Sequence, residues 1–310
     1  MTASDPDERG IVVVSVDAEL GWGFHDLPEP PAERVEAART GWIRLLGLLD
    51  EYDVPATWAV VGHLFLDDCD GEHADHPTPD GWFERERGDW AGRRDLRFAD
   101  GLLERVDAAS AGHEVGAHSF SHALFGRRET TPEVARAELA ATRAAADRPL
   151  DSFVFPRNSV AHRDALADAG YTCYRGLSPE PAPERPVERV RKLARLAART
   201  TPPVVRPVVD EHGLVNVPAS QFLFDFEGGA RAVCETLADD PVVARARRGV
   251  DAAARSGGVY HAWLHPNNVR NDRHARRLRR VLGHVAARRD EGAVRVEPMG
   301  AVADRALDAA

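Results

Sequence analysis

The chain has little cysteine and no long apolar run. Its three cysteines, Cys69, Cys173 and Cys234, lie far apart in 310 residues and form no Cys-x-x-Cys pair. This pattern predicts neither a disulfide framework nor a zinc site made of thiolates, and it fits a reducing compartment. No stretch approaches the roughly 18 apolar residues of a membrane span, and the polar, acidic residues 1–10 are unlike a signal peptide. We therefore expect a cytoplasmic protein with no membrane span.

Positive charge is scarcer than negative charge. The chain has 40 Lys+Arg against 50 Asp+Glu, a net charge of −10, and Lys192 is its only lysine. An acidic surface repels phosphate groups, so we expect no nucleic acid partner. The content of 43% hydrophobic and 29% charged residues is typical of a globular protein.

No tract rich in Pro, Gly or Ser divides the chain. We therefore interpret residues 1–310 as one domain, although two small domains are also compatible with this length. Two segments, 67–100 and 178–213, lack clear periodicity and are interpreted as loop insertions.

What the sequence does contain is a repeated alternation of strand and helix patterns. Residues 11–16 form a β-branched apolar run, residues 33–49 have apolar side chains at helical spacing, and residues 56–61 are again strand-like. Later helices are predicted at 187–198 and near 230–254. This alternation predicts an α/β fold with a parallel sheet or barrel, in which active groups follow the strands.

Two histidines, His118 and His122, follow a predicted strand at 113–117. Among 13 histidines in 310 residues, chance gives roughly 0.5 pairs at this spacing, and the chain has two. In a turn leading into a helix, the two side chains would lie about 5–6 Å apart and could bind one metal ion. The alternative is a solvated pair of helix histidines.

Two acidic residues, Asp17 and Glu19, come at the end of the first strand. Residues i and i+2 of an extended chain face the same way, so both carboxylates can point into one cavity. One can bind a metal ion while the other holds a proton. The alternative is an acidic turn at a strand end.

Two further polar groups also follow predicted strands. Arg157 and Asn158 come after the strand at 152–155, and His265 comes after the strand at 258–264, which contains Trp263. Taken singly, Arg157 is by default a surface ion pair, Trp263 a core residue and His265 a turn residue. Together with the acids and the histidine pair, they predict a site at the carboxyl edge of the sheet.

These motifs, read in order, resemble those of the polysaccharide deacetylase family with the NodB homology domain. The resemblance rests on residues 15–19, 112–122, 155–157 and 263–265, and it is closest to a branch with an Asp-x-Glu first motif. It implies a distorted (β/α) barrel of about seven parallel strands. It also implies one divalent metal, with zinc as the first expectation and iron, cobalt, nickel or manganese as alternatives.

The resemblance implies roles for individual residues. The metal ligands would be Glu19, His118 and His122, while Asp17 would be the catalytic base, Arg157 the residue that orients it, and His265 the general acid. Substrate would contact Trp22, Asn158, Trp263 and Leu264. The family's usual first motif has two adjacent aspartates, whereas Ala18 stands at the second position here, so Asp17 and Glu19 can exchange roles.

The activity that the resemblance implies is removal of acetyl groups from N-acetylated sugars, in the biosynthesis of a surface glycan or polysaccharide. The expected partner is an acetylated sugar or glycan precursor. Two alternatives remain: hydrolysis of another non-peptide carbon–nitrogen bond, as in allantoinase-like relatives, and glycan binding without catalysis.

Overall fold

The computed structural model describes residues 9–180, 200–224 and 240–309. Its strands are β1 (Gly10–Ala18), β2 (Thr57–Val60), β3 (Glu114–Ala117), β4 (Ser152–Val154), β5 (Cys173–Arg175), β6 (Val208–Val209), β7 (Val215–Asn216), β8 (Gln221–Phe222), β9 (Val259–Leu264) and β10 (Val294–Val296). Its helices are α1 (Ala32–Glu51), α2 (Glu84–Arg87), α3 (Arg94–Arg97), α4 (Leu102–Asp107), α5 (Pro132–Ala146), α6 (Arg163–Asp168), α7 (Pro241–Ser256), α8 (Asp272–Asp290) and α9 (Met299–Asp308).

One sheet joins all these strands, in the order β6-β7-β5-β4-β3-β2-β1-β9-β8, and β10 pairs with the first residues of β1. Only the β6–β7 pair is antiparallel among the described strands. β1 lies between β2 and β9 and is buried along nearly all its length. Its continuous β-branched run is what a parallel strand covered on both faces requires.

The sheet is strongly curled. β5 lies four places from β1 in the strand order, yet Arg175 on β5 contacts Asp17 on β1 directly. A flat sheet cannot bring these side chains together, because neighbouring strands lie about 4.8 Å apart. Within the described ranges, the seven strands of three or more residues are all paired in parallel. The predicted distorted (β/α) barrel is therefore confirmed.

The helices cover the outside of the curled sheet. On α1 the apolar positions predicted from the sequence, including Trp42 and Leu45, are buried, and Trp42 stacks on Trp58 of β2 with ring centroids 5.1 Å apart. α5 begins at a typical N-cap, because the Thr131 side chain accepts a hydrogen bond from the backbone N–H of Val134. The last helix, α9, was not anticipated from the sequence.

The two predicted insertions differ in what the structure describes. Segment 67–100 contains the short helices α2 and α3. In segment 178–213, the helix predicted at 187–198 lies outside the described residues, while β6 falls in the described part. The helix predicted near 230–254 is described only from 240 onwards, where the Asp240 side chain accepts from the N–H of Val242 and α7 begins.

Across the three described ranges, none of the helices combines the length and the apolar character that a membrane crossing requires.

Candidate active site

The carboxyl end of β1 supplies the two acids of the site. Asp17 is the last but one residue of the strand and Glu19 follows it, and both are almost completely buried. Ser15, two residues before Asp17, contributes its hydroxyl to the same group of side chains. The alternation along β1 thus places three polar side chains on one face, and the sequence predicts this for the two acids.

Asp17 is held by a buried arginine. Arg175, at the end of β5, donates from Nη1 to Asp17 Oδ1 at 2.5 Å and from Nη2 to Oδ2 at 2.8 Å. Its guanidinium also donates to Ser15 Oγ at 3.1 Å and to Asn158 Oδ1 at 3.0 Å. Burial alone would raise the pKa of Asp17, but the two-point ion pair with Arg175 outweighs burial and holds that pKa well below its usual range. Asp17 is therefore an oriented, ionised carboxylate.

Arg157, the arginine predicted to orient Asp17, does not contact it. Arg157 donates to both carboxylate oxygens of Asp26, at 2.8 and 2.5 Å, and its side chain is 35% exposed. Its backbone is left-handed, with φ of 49°, in the turn Pro156–Asn158 after β4. The prediction that Arg157 orients Asp17 is corrected by this geometry: Arg175 makes the contact, and Arg157 points towards Asp26.

The two histidines follow β3 on a loop and not on a helix, in contrast to the geometry expected from their spacing. Ser119 and His122 have left-handed backbones, with φ of 57° and 62°, and these turns bring the rings of His118 and His122 to 5.2 Å between centroids. Both side chains are buried. The pairing of the rings thus comes from two tight turns, which the sequence pattern does not reveal.

The ring of His118 is fixed in one orientation. Its Nδ1–H donates to the Val154 carbonyl at 2.8 Å, which leaves Nε2 with a free lone pair and no hydrogen-bond partner among the described residues. Burial lowers the pKa of His118 to about 4, so the ring is neutral near pH 7. A neutral imidazole with its second nitrogen bound to a carbonyl is the usual state of a metal-ligating histidine.

Glu19 is the third member of the group that contains His118 and His122. Its Oε2 lies 3.3 Å from His122 Nε2 and 3.8 Å from His118 Nε2, and Asn267 Nδ2 donates to its Oε1 at 3.2 Å. Burial raises the pKa of Glu19, but the neighbouring histidines, His265 and His122 foremost, lower it to about 2. Gly23 makes room for this carboxylate, since a Cβ there would overlap Glu19 Cδ and both of its oxygens.

The donor set fits a divalent metal. One ligand atom from each of Glu19, His118 and His122 lies within 4.8 Å of the others, and all three residues are buried. The unpartnered Nε2 of His118 points into this group. Two imidazoles and one carboxylate suit zinc and the other first-row metals, and they leave coordination positions open. These three residues are the ones the sequence predicted as ligands.

His265 faces the acids from β9. Its Nε2 is 3.7 Å from Asp17 Oδ2 and 3.8 Å from Glu19 Oε1. Its Nδ1 lies 3.3 Å from Asn268 Oδ1, an acceptor that keeps a proton on Nδ1. The second nitrogen, Nε2, is then the atom that can exchange a proton over the two carboxylates.

The four predicted substrate contacts have different surroundings. Trp22 is buried, donates to the Arg97 carbonyl at 3.3 Å and packs on His63, so it lies in the wall behind the site. Leu264 is buried at the end of β9. Trp263 is half-buried beneath the Arg175 guanidinium, with 4.4 Å between its ring centroid and Cζ. Asn158 is engaged by Arg175. Trp22 thus occupies a packing position in place of the predicted substrate contact.

Two residues of the site were missed by sequence reasoning. Arg175 is the last residue of β5, and a charged residue at the end of a short apolar stretch was the signal that could have found it. His25 is buried, its ring centroid is 6.5 Å from that of His122, and burial lowers its pKa to about 4. No periodicity or spacing in the sequence connects His25 to His122.

A cleft of about 420 Å³ opens beside the histidine loop. Its lining includes Asp26, Trp82, Ala123 and Arg157. Ala123 directly follows His122, and the Trp82 indole donates to Ser121 Oγ at 2.8 Å. This volume is within the range of small-molecule sites, about 300–1,000 Å³.

The fold and the site define a class: a (β/α)-barrel protein with a candidate His-His-Glu metal centre beside a buried Asp–Arg pair. Residues 24–174 match the family model of polysaccharide deacetylase. This stretch of the chain is thus similar to a polysaccharide deacetylase domain. The matched region includes the histidine loop, whereas Asp17, Glu19, Arg175 and His265 lie outside it.

A curated relative is the peptidoglycan deacetylase of Helicobacter pylori. It is 30% identical over 113 residues, which are 35% of this chain and 27% of the relative. The chain thus spans only about a quarter of the length of the curated relative that it matches.

Solved structures share the fold over nearly the whole chain. A Mycobacterium smegmatis protein named as a polysaccharide deacetylase has a TM-score of 0.60 at 21% identity, covering 99% of this chain and 93% of that one. A Pseudomonas aeruginosa protein of the same description has a TM-score of 0.62 at 12% identity, covering 97% and 92%. PuuE allantoinase has a TM-score of 0.59 at 10% identity, covering 98% and 93%. At these identities, the likeness is one of fold.

Proposed function

We propose that this chain is a divalent-metal-dependent hydrolase that removes acetyl groups from N-acetylated sugars, acting on a precursor of a surface glycan or polysaccharide. The observation that carries the proposal is the arrangement of Glu19, His118 and His122 beside Asp17 and His265. The match of residues 24–174 to the polysaccharide deacetylase model supports the acetylated substrate.

Glu19, His118 and His122 would hold the metal. The chemistry that a divalent ion supplies in such a site is polarisation of a carbonyl and a lower pKa for water. His118 is suited to this task because burial keeps it neutral and the Val154 carbonyl fixes its tautomer. Glu19 contributes the negative charge. Asn267 donates a hydrogen bond to its carboxylate, and the lack of a side chain at Gly23 leaves room for it.

Asp17 is the proposed general base. Arg175 keeps the carboxylate ionised and fixes both of its oxygens, so Asp17 can accept a proton from the attacking water without reorienting. Because its pKa is held low, Asp17 is a weak base. Its contribution therefore depends on position more than on basicity.

His265 is the proposed general acid. Its Nε2 would give a proton to the amine nitrogen as the carbon–nitrogen bond breaks, so that acetate and a free amino sugar leave. The proton that Asp17 takes from water balances the one that His265 gives. The two groups come from β1 and the end of β9, which lie side by side in the sheet.

The proposed place for the sugar is the cleft that begins at Ala123. Trp82 offers an aromatic surface, and the Arg157–Asp26 pair offers hydrogen-bonding groups at the rim. Arg157 would then contribute to substrate binding. The predicted role of orienting the base passes to Arg175.

An acetate-release screen tests the proposal. The purified chain, loaded in turn with zinc, cobalt, nickel and manganese, is incubated with N-acetylated sugars, nucleotide-linked N-acetyl sugars and acetylated oligosaccharides. We expect metal-dependent release of acetate from at least one of them, and loss of that release in His118→Ala. Ring opening of a cyclic ureide without any acetate release would contradict the proposal, as would glycan binding by a metal-free chain with no turnover.

A further inference from the structure

A second group of metal-binding side chains lies apart from the candidate active site. It consists of His63, Cys69, His73 and Glu86, whose ligand atoms all lie within 4.8 Å of one another. His63 belongs to the turn Gly62–Phe65 after β2, whereas the other three belong to the insertion 67–100. The group therefore links this insertion to the barrel.

The distances within the group approach those of a coordination shell. Glu86 Oε1 is 2.9 Å from His63 Nε2, and Glu86 Oε2 is 2.9 Å from His73 Nε2. Cys69 Sγ is 3.4 Å from His73 Nε2. Donors around a tetrahedral zinc ion, with bonds of about 2.0–2.3 Å, lie about 3.4 Å apart. A small outward shift of these side chains would accommodate the ion.

The tautomer of His63 supplies independent support. Its Nδ1 lies 3.1 Å from the Arg97 carbonyl, which requires the proton on Nδ1 and leaves a lone pair on Nε2. That nitrogen is completely buried, points at Glu86 and has no hydrogen-bond partner among the residues that the structure describes. A lone pair and a carboxylate oxygen at 2.9 Å repel each other unless a proton or a metal ion lies between them.

The surroundings also suit a cation bound by a thiolate. The N–H of Gly71 donates to Cys69 Sγ at 3.3 Å, a contact that fixes the position of the sulfur. Arg97 donates to Glu86 Oε1 at 2.6 and 3.1 Å, and this leaves Oε2 for a metal. Arg97 also donates to the carbonyls of Cys69 and Ala91, and these hydrogen bonds stabilise the backbone of segment 67–100 next to the group.

We propose that His63, Cys69, His73 and Glu86 bind a structural zinc ion, distinct from the metal of the active site. One sulfur, two imidazole nitrogens and one carboxylate oxygen suit zinc better than calcium or magnesium, which prefer oxygen ligands. Four protein ligands leave no position for water or substrate, so the site is structural. The charges of the thiolate and the carboxylate balance the ion.

This ion would stabilise one wall of the active site. The His63 ring lies 4.4 Å from the Trp22 ring, and Trp22 in turn lies 5.2 Å from His25, which neighbours His122. His73 stacks on Phe83 at 4.1 Å. The proposed zinc site would thus fix the positions of the aromatic side chains that lie between the zinc ion and the candidate active site.

Cobalt substitution tests the proposal, because only this group contains sulfur. The His118→Ala/His122→Ala double variant lacks the active-site ligands but keeps the second group. Under reducing conditions we expect it to bind one equivalent of Co²⁺ and to show a thiolate-to-cobalt charge-transfer band in the near ultraviolet. Adding Cys69→Ser should abolish the band, whereas Cys173→Ala and Cys234→Ala are the matched controls that should retain it.

Zinc content and thermal unfolding provide a second measurement on the same double variant. We expect one bound zinc and a melting temperature roughly 5 °C or more above that of the chelator-treated protein. His73→Gln, which leaves the cysteine in place, should lose the zinc and this difference. A folded double variant that binds no zinc and gives no cobalt–sulfur band would overturn the proposal and leave only an ion-pair network around Glu86. Neither result depends on whether the chain deacetylates sugars.

Discussion

Arg175 donates one hydrogen bond to each carboxylate oxygen of Asp17, although the two residues are 158 positions apart in the sequence. The guanidinium is completely buried and the carboxylate nearly so. Because β1 and β5 stand on opposite sides of the curled sheet, this pair connects the two halves of the barrel at its carboxyl edge. It also fixes the acid that we propose as the general base.

The first prediction compares the two arginines. Arg175→Lys keeps the charge but loses the two-point contact, so Asp17 is no longer held in one orientation. We expect kcat/KM to fall by about 10²-fold with the metal still bound. Arg157→Lys, at the rim of the proposed sugar cleft, keeps its charge beside Asp26 and should lower kcat/KM by less than about fivefold, because exposed ion pairs contribute about 0–1 kcal/mol. If Arg157→Lys lowers kcat/KM more than Arg175→Lys does, then Arg157 is the residue that orients Asp17.

The second prediction separates the metal ligands from the base. His118→Ala, His122→Ala and Glu19→Ala should each lose the metal, because each removes one donor of a three-residue set. Asp17→Asn keeps an acceptor for Arg175 and should retain the metal while turnover is lost. Metal analysis of the purified variants measures both outcomes. If Asp17→Asn loses the metal and Glu19→Ala keeps it, the two acids have exchanged roles.

The third prediction concerns the space beside Glu19. A methyl group at Gly23 would overlap the Glu19 carboxylate, so Gly23→Ala should displace this ligand. We expect weaker metal binding, measured by competition with a chelator. Gly47→Ala is the control: no described atom beyond its chain neighbours and the backbone of its own helix lies within 4 Å of the added methyl group, and helix α1 should gain about 0.5–1 kcal/mol in the free energy of unfolding. Equal metal affinity in both variants would show that Glu19 does not depend on Gly23.

Several elements could be predicted from the sequence because their signals are local. The apolar run of β1, the helical spacing of α1 and the Thr-Pro start of α5 each identify an element and one of its ends. The acids and the histidine pair were found for the same reason. Their chemistry is concentrated in short stretches that directly follow strands.

The remaining features depend on contacts between distant parts of the chain. The approach of His118 and His122 requires left-handed turns at Ser119 and His122, which a helical interpretation of the spacing misses. The choice of Arg175 over Arg157 depends on how far the sheet curls, and no single segment encodes that curvature. The family resemblance implies Trp22 as a substrate contact, but its turn directs the ring into the core.

The fourth prediction concerns acid stability. Burial raises the pKa of Glu138, but hydrogen bonds from His76 and Ser121 outweigh it and lower that pKa. A carboxyl whose pKa is lower in the folded state stabilises the fold fully above its unfolded pKa, about 4.3, and loses this contribution as the pH falls below it.

Urea unfolding between pH 7 and pH 3 measures this contribution. The free energy of unfolding should fall with decreasing pH less steeply in Glu138→Gln than in the parent protein. Glu133→Gln, at an exposed position of the same helix, should keep the parent's slope. Identical slopes for all three proteins would exclude Glu138 as a source of the acid sensitivity.

The last prediction tests His265 as the general acid. Proton donation typically contributes about 10²- to 10⁴-fold to a rate, so His265→Ala should lower kcat/KM on an N-acetyl sugar within that range while the metal stays bound. For the parent enzyme, the rate should persist on the acid side below the ordinary pKa of an aspartate, about 3.9, as far as Asp17 alone is concerned, because Arg175 keeps Asp17 ionised. An activated acetyl ester has a leaving group that departs without protonation. His265→Ala should therefore impair ester hydrolysis far less than amide hydrolysis. Equal losses on both substrates would mean that His265 shapes the pocket and does not deliver the proton.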